Sequence, residues 1–260
     1  SCSSCHGNPK GSAGFGGNVA TFPDGRDAPH LFGLGLVEQL ADEVTSKLRR
    51  IRSNAVDKAT RTGNTITESN INISTDWLAN SGTTIDSYSF QTYIHEIGHA
   101  LGLGHGGNYN STADYVQDAS YLNDSWATTI MSYFSQSENT FFSDQNFSRV
   151  FIISPQSADI VAIQQIYGVA TTTRTEDNTY GVGNDTGRDI YGVGANVTNN
   201  AGNLLSFAII DHGGEDTLNY SSFSASQLIN LNQETFSNVG GSIGNVSIAR
   251  GTVIENAVGG

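Results

Sequence analysis

Sulfur is nearly absent from this chain: its 260 residues include two cysteines and one methionine. Both cysteines, Cys2 and Cys5, stand at the very start. No disulfide can therefore tie distant parts of the fold together, and a disulfide scaffold is excluded. Stability must come from an apolar core and bound metal, and the length allows such a core in one or two domains. Basic residues are few as well, 12 Lys and Arg against 25 Asp and Glu, for a formal net charge of -13. That balance argues against a nucleic-acid partner and fits a secreted or calcium-loaded protein. No apolar run is long enough to span a bilayer. The chain opens on Ser1, with no initiator methionine and no signal peptide, as expected of a processed or excised piece.

Histidine is scarce too, six in all, yet three fall within residues 91–105. They are spaced as His95-Glu96-x-x-His99-x-x-Gly102-x-x-His105. On a helix, positions i and i+4 share a face, so His95 and His99 point the same way and can ligate one Zn²⁺. Glu96 beside them is placed to act as general base. The helix cannot supply a third ligand by continuing. The chain must turn, and Gly102 permits the left-handed backbone that brings His105 back to the metal. Three imidazoles leave a fourth position open to water, as in a catalytic rather than a structural site. A bare His-Glu-x-x-His also occurs by chance on surface helices. The third histidine and the glycine at their offsets argue for zinc. The only methionine, Met131, follows in Thr128-Thr-Ile-Met-Ser-Tyr133. It fits an apolar floor beneath the histidines, although an ordinary core methionine would be buried almost as deeply.

The ends of the chain differ in charge and texture. Residues 1–61 hold eight of the 12 basic residues and six acidic ones, and residues 62–260 hold the other four and 19. Three of the four prolines also precede residue 30. The shift places a boundary near residues 57–63. The opening Cys2-Ser-Ser-Cys5-His6 has the pattern of c-type haem attachment, and a small loop or an unreacted thiol pair is the plainer reading. Val37, Leu40, Val44, Leu48 and Ile51 predict an amphipathic helix over 37–54. Residues 64–74 alternate as one or two short strands would. Residues 106–150 are polar and read as long loops around the site. Ser157–Tyr167 reads as a helix after Pro155, with Ser157 as N-cap and Gly168 as its stop. Beyond residue 174, short runs such as Leu204–Ile210 and Asn245–Ala249 alternate with Gly, Asn and Asp, an all-β texture. There Asp211-His-Gly-Gly-Glu-Asp216 sets two carboxylates around a Gly-Gly pair, which suits Ca²⁺ or, equally, a turn.

Two resemblances follow from these motifs. The histidine motif with its Met-turn is the metzincin signature. With Gly240-Gly-Ser-Ile-Gly-Asn-Val-Ser-Ile-Ala-Arg-Gly-Thr-Val-Ile-Glu-Asn256, it makes the chain from about residue 64 resemble the serralysins, secreted bacterial zinc metalloproteases. The resemblance implies an α+β fold: a metzincin-like catalytic domain at 61–172, its N-terminal subdomain incomplete, then the start of a parallel β-roll of the RTX type at 173–260. It implies an extracellular metalloendopeptidase acting on protein or peptide substrates, with a proteinaceous metalloprotease inhibitor as a further partner. Zinc would sit on His95, His99 and His105, with Tyr133 as a fifth ligand that swings away to help the transition state. Calcium would be held by Arg174, Glu176 and Asn178, by Asp211, Gly213, Gly214 and Asp216, and by Glu255. Glu176 stands where the family usually has glycine. Residues 1–60 form a separate segment. The stretch from Gly25 to Glu38 gives its first 55 or so residues a likeness to di-haem cytochrome-like thiol oxidoreductases, with haem on Cys2, Cys5 and His6. No distal methionine is left to complete such a site, so the segment is expected to carry the motif without a working haem. The rival functions are therefore a haem redox protein fused to a metal-binding module, and an inactive zinc and calcium module.

Overall fold

We describe residues 71–260 from a computed structural model of the chain. The first half is helical and irregular. Helix α1, Thr75–Ser81, starts where the Ser74 hydroxyl accepts from the Asp76 and Trp77 amides, an N-cap that answers two of the helix's orphan donors. It stops at Gly82, whose φ of 92° no helix continues. Helix α2, Tyr88–Ala100, is capped in the same way by Ser87, which accepts from the Phe90 amide. Most of α2 is buried, its C-terminal stretch from Ile94 to Ala100 without interruption. After α2 come the single-turn helices α3, Tyr115–Asp118, and α4, Thr140–Ser143. Helix α5, Ser157–Tyr167, closes this half and ends at Gly168 with φ 92°.

The second half is strand and turn, with two single-turn 3-10 helices at Asp189–Tyr191 and Ala195–Val197. Its strands are β1 Thr179–Gly181, β2 Phe207–Ile209, β3 Thr217–Asn219, β4 Phe236–Ser237, β5 Val246–Ile248 and β6 Asn256–Val258. They form two three-stranded sheets, in the orders β1-β3-β6 and β2-β5-β4. The first is parallel throughout, and β2 pairs parallel with β5, while β4 lies antiparallel at the edge. Successive strands β1, β2 and β3 alternate between the sheets, as do β5 and β6, so the chain winds as a coil with one sheet on each side. Tyr180 and Leu218 from one sheet meet Phe207, Ile209, Val246 and Ile248 from the other in a single apolar cluster. The strands are two or three residues long, and β1 ends on a glycine. At Gly181, φ is 99° and a Cβ would collide with the Asn219 carbonyl of β3, so only glycine fits.

The two halves share apolar cores. The strand cluster takes in Val150 and Ile153 from the segment before α5, and Ile85 and Phe90 pack against it. Ile160 of α5 buries against Ala208 and Ala249. The helix expected after Pro155 has its predicted span, but its N-cap is Gln156 and not Ser157. Asp159 reaches back to the Gln156 amide in a capping box, whereas with Ser157 as N-cap the third helical residue would be Ile160, which has no side-chain acceptor to close it. Residues 71–74 are irregular, so the expected strand run does not extend over them. Ser74 turns the chain into α1 instead. The boundary near 57–63, the helix at 37–54 and the cysteine motif lie outside the described residues.

Candidate metal centre

Helix α2 carries His95, Glu96 and His99 on its buried C-terminal half. Its last carbonyls are met by a reversal: the Leu101 amide donates to Gly98 and Ile97, the Gly102 amide to His99, and the Leu103 amide to Gly98. Gly102 sits at φ 94°, the conformation the sequence asked of it. The reversal carries His105 back over the helix end. Three Nε2 atoms then face one another. His105 Nε2 lies 3.0 Å from His99 Nε2 and 3.3 Å from His95 Nε2. Among the described residues, these three form the only group of three His, Cys, Asp or Glu whose ligand atoms all lie within 4.8 Å of one another.

The opposite ring nitrogens decide what the group is for. His95 Nδ1 is 2.8 Å from the Ile130 carbonyl, His99 Nδ1 2.9 Å from the Leu103 carbonyl, and His105 Nδ1 2.8 Å from the Tyr109 carbonyl. A carbonyl only accepts, so each Nδ1 carries the proton and each Nε2 presents a lone pair. Three acceptors at contact distance repel unless a cation lies among them. Zn²⁺ fits: tetrahedral imidazoles bound at about 2.0–2.1 Å stand about 3.3 Å apart. Glu96 is 2% exposed, and burial pushes its carboxyl up to about 7. Tyr133 stands half-buried over the group, its ring centroid 4.5 Å from that of His105, with its hydroxyl accepting from the Ser111 amide at 3.4 Å.

Met131 is 2% exposed and lies under α2. A Cβ on Gly98 would fall inside contact distance of its Sδ, so Gly98 is what lets helix and Met-turn approach. Several supporting residues carry no signature that spacing could reveal. Tyr109 stacks on His105 with ring centroids 5.5 Å apart, and its hydroxyl is 3.0 Å from both oxygens of buried Asp124. Asp159, 2% exposed, accepts from Thr129 Oγ1 at 2.6 Å, from the Ile130 amide at 2.7 Å and from the Gln156 amide at 2.8 Å. Burial pushes its carboxyl up to about 6 despite these donors.

The expected calcium residues come together in the coil. Loop 173–178 and loop 211–216 clasp through His212 N to the Thr173 carbonyl at 3.1 Å and Glu215 N to Asp177 Oδ1 at 2.9 Å. Gly214 is obligatory, since a Cβ there would run into the Glu176 carbonyl. Asp211 and Asp216 are fully buried. The Asn178 amide donates to Asp216 Oδ1 at 2.7 Å, and the Asp216 amide to Glu255 Oε2 at 2.8 Å. Asp216 Oδ2 and Asn178 Oδ1 are buried without a hydrogen-bond partner. Burial, with Asp211 and Glu255 nearby, pushes the Asp216 carboxyl up to about 6. Arg174 adopts a positive φ of 45°, and its Nε stands 3.8 Å from Asp211 Oδ2.

An imidazole triad beside a buried glutamate is a donor set that suits a metallopeptidase, and comparison with known proteins points the same way. Residues 37–143 match the family described as metallo-peptidase family M12, and residues 169–260 match peptidase M10 serralysin C terminal. Over 187 residues the chain is 43% identical to the serralysin of Photorhabdus luminescens, which covers 70% of this chain and 37% of that protein. It is 45% identical over 190 residues to the metallopeptidase AprA of Pseudomonas marginalis, 71% of this chain and 38% of the relative. Serralysin C of Dickeya chrysanthemi is 44% identical over 177 residues, 67% and 35%. The chain thus carries serralysin-type metallopeptidase sequence and spans less than two fifths of the length of these relatives. The match from residue 37 takes in the helix expected at 37–54. Nothing in these matches supports the haem reading of Cys2, Cys5 and His6.

Proposed function

We propose that the chain is a secreted zinc metalloendopeptidase of serralysin type. The observation that carries this is the triad itself: three Nδ1–H groups donated to backbone carbonyls, so that three Nε2 lone pairs converge beside Glu96. His95, His99 and His105 would hold the zinc. A zinc ion bound there supplies Lewis acidity, polarising the scissile carbonyl and making water a better nucleophile. Glu96 takes the proton of the attacking water on its carboxylate and delivers it to the leaving amine nitrogen. A carboxyl whose proton affinity is raised by burial suits that exchange. Tyr133, turned from the Ser111 amide, donates its hydroxyl to the oxyanion that develops on the peptide carbonyl.

The coiled pair of parallel sheets is read as the first turns of a β-roll, with calcium at Asp211, Asp216, Asn178, Gly213, Gly214, Glu255, Arg174 and Glu176. The unpartnered Asp216 and Asn178 oxygens support this, since hard oxygen donors left buried and unpaired suit Ca²⁺. The division at 61–172 and 173–260 describes ancestry, as the two regions share apolar cores. Among the described residues no helix is long and apolar enough to cross a membrane. Protein or peptide substrates and a proteinaceous inhibitor complete the proposal. Casein digestion by zinc-loaded protein, compared with its Glu96→Ala variant, tests it. Equal proteolysis by both, or none by either, would refute this reading of the site.

A further inference from the structure

The three histidines are held by carbonyls of unequal character. The Leu103 and Tyr109 carbonyls that accept from His99 and His105 belong to the loop beyond α2. The Ile130 carbonyl that accepts from His95 belongs to the amide joining Ile130 to Met131, and that amide is engaged at both ends. Its N–H, on Met131, donates to Thr129 Oγ1 at 3.0 Å. The Thr129 hydroxyl in turn donates to Asp159 Oδ1 at 2.6 Å. A continuous run of hydrogen bonds therefore leads from a buried carboxylate, through a hydroxyl and a peptide group, to one imidazole. Every donor in it points toward the carboxylate.

Such a run is polarised in one sense. The carboxylate draws the Thr129 proton, which makes Thr129 Oγ1 a better acceptor for the Met131 amide. Drawing on that N–H shifts amide electron density onto the Ile130 carbonyl oxygen, which then pulls harder on His95 Nδ1–H. Cooperative strengthening of this kind is favoured where water is excluded. Asp159, Met131 and Ile130 are each about 2% exposed. An imidazole whose far N–H is drawn toward negative charge is a stronger metal donor, the effect a directly bonded carboxylate has on a zinc-ligating histidine. The short Asp159 contact outlasts a merely structural need, because Asp159 already secures the turn through the Ile130 and Gln156 amides on its other oxygen.

We propose that Thr129 and Asp159 are positioning residues that transmit a carboxylate's charge through the Ile130–Met131 amide to His95, raising that ligand's affinity for zinc. This rests on the zinc reading above. The test uses the whole 260-residue chain and the metal alone. Thr129→Val keeps the shape and β-branching but breaks the run, while Thr129→Ser keeps the hydroxyl. Zinc affinity, measured by competition with a chromophoric chelator, should fall about 10-fold or more in Thr129→Val and stay within about threefold of the parent in Thr129→Ser. The Nδ1–H proton resonance of His95 should move upfield in Thr129→Val, with those of His99 and His105 unmoved. A hydroxyl that only braces the turn would lower the melting temperature of the metal-free protein and leave both readouts alone. Equal affinity in the parent and Thr129→Val would overturn the inference while leaving the zinc reading intact. A parent chain that binds no zinc would overturn both. Should Thr129→Val not fold, Asp159→Asn, which keeps one acceptor oxygen for the Ile130 and Gln156 amides, turns an NH2 toward Thr129 and removes the charge, must show the same affinity loss and the same His95 shift. Unchanged values in it would likewise overturn the inference.

Discussion

Gly98 offers a sharp test of how helix and Met-turn are fitted together. In a helix interior, Gly→Ala ordinarily stabilises by about 1 kcal/mol through propensity. Here the added methyl would lie inside contact distance of Met131 Sδ, 3.5 Å from Met131 Cε and 3.7 Å from Leu103 Cδ1. Met131 cannot swing clear, being 2% exposed among Ile94, Trp126 and Ile130. Overpacking of this kind costs about 1–3 kcal/mol, so after the propensity gain the net loss is up to about 2 kcal/mol and the usual stabilisation is lost or reversed. For a fold of this size that is a fall of up to about 8 °C in melting temperature. The displaced turn carries the Ile130 carbonyl away from His95, so zinc affinity should drop with it. Thermal denaturation of the metal-free protein with a parallel zinc titration measures both. A double-mutant cycle makes the attribution specific: in a Met131→Ala background the clash is gone, and Gly98→Ala should become neutral or stabilising, a coupling of about 1–3 kcal/mol. A Gly98→Ala variant more stable than the parent, or one equally harmful with and without Met131, would refute the packing account.

Other outcomes follow from the same geometry. Glu96→Ala should lose about 10²–10⁴-fold or more in proteolytic rate while keeping its zinc, as rate assays and metal analysis would show. Tyr133→Phe should lower kcat with little change in KM, whereas a loss confined to KM would make Tyr133 a binding residue only. A calcium-selective chelator should lower the melting temperature, with zinc content followed in parallel, because calcium bound to the folded chain would neutralise the buried Asp211 and Asp216. Asp159 titrates in the folded state at about 6, above its ordinary value of 3.8. The folded form therefore holds this proton more tightly, and the group's contribution to stability is complete below about pH 4 and lost as pH rises through about 6. Melting curves of Asp159→Asn should lack that decline, and an unchanged pH profile in the variant would contradict the assignment.

The grouping of the three histidines is legible in the sequence because its pattern is local. His95 and His99 are one helical turn apart, and Gly102 must reverse the chain before His105 can return. Periodicity likewise gave α5 its span, and the loss of it after residue 174 gave the strand region. What stayed hidden depends on residues far apart in sequence. Asp159 meets Thr129 and Ile130 across about thirty positions, Tyr109 meets Asp124 across fifteen, and Gln91 reaches the Ile152 amide across sixty-one. No spacing rule links such pairs. Even the α5 cap was misassigned for this reason: Ser157 is the commoner capping type, but Gln156 wins because Asp159 is already held in place by the Met-turn. The three-residue strands defeat periodicity in another way, since alternation over three positions is indistinguishable from a turn.

These long-range pairs also say why the strand region belongs to the metal centre. Ile160 of α5 is buried against Ala208 and Ala249 of the coil, and the Ala208 amide donates to Ser154 Oγ at 2.9 Å, just ahead of α5. The N-terminus of α5 is thereby fixed by the coil. Asp159, one residue before Ile160, is fixed with it, and Asp159 holds the N–H of Ile130, the residue whose carbonyl orients His95. Loosening the coil at Asp211 and Asp216 would act on α5 before it acted on anything nearer the histidines. Calcium removal should therefore weaken zinc binding without touching a zinc ligand, and it should do so less in Asp159→Asn, where the connection is already impaired. Zinc titrations of the parent and the variant, with and without calcium, would decide the matter. An identical calcium effect in both proteins would mean that the coil supports the site by some route other than α5.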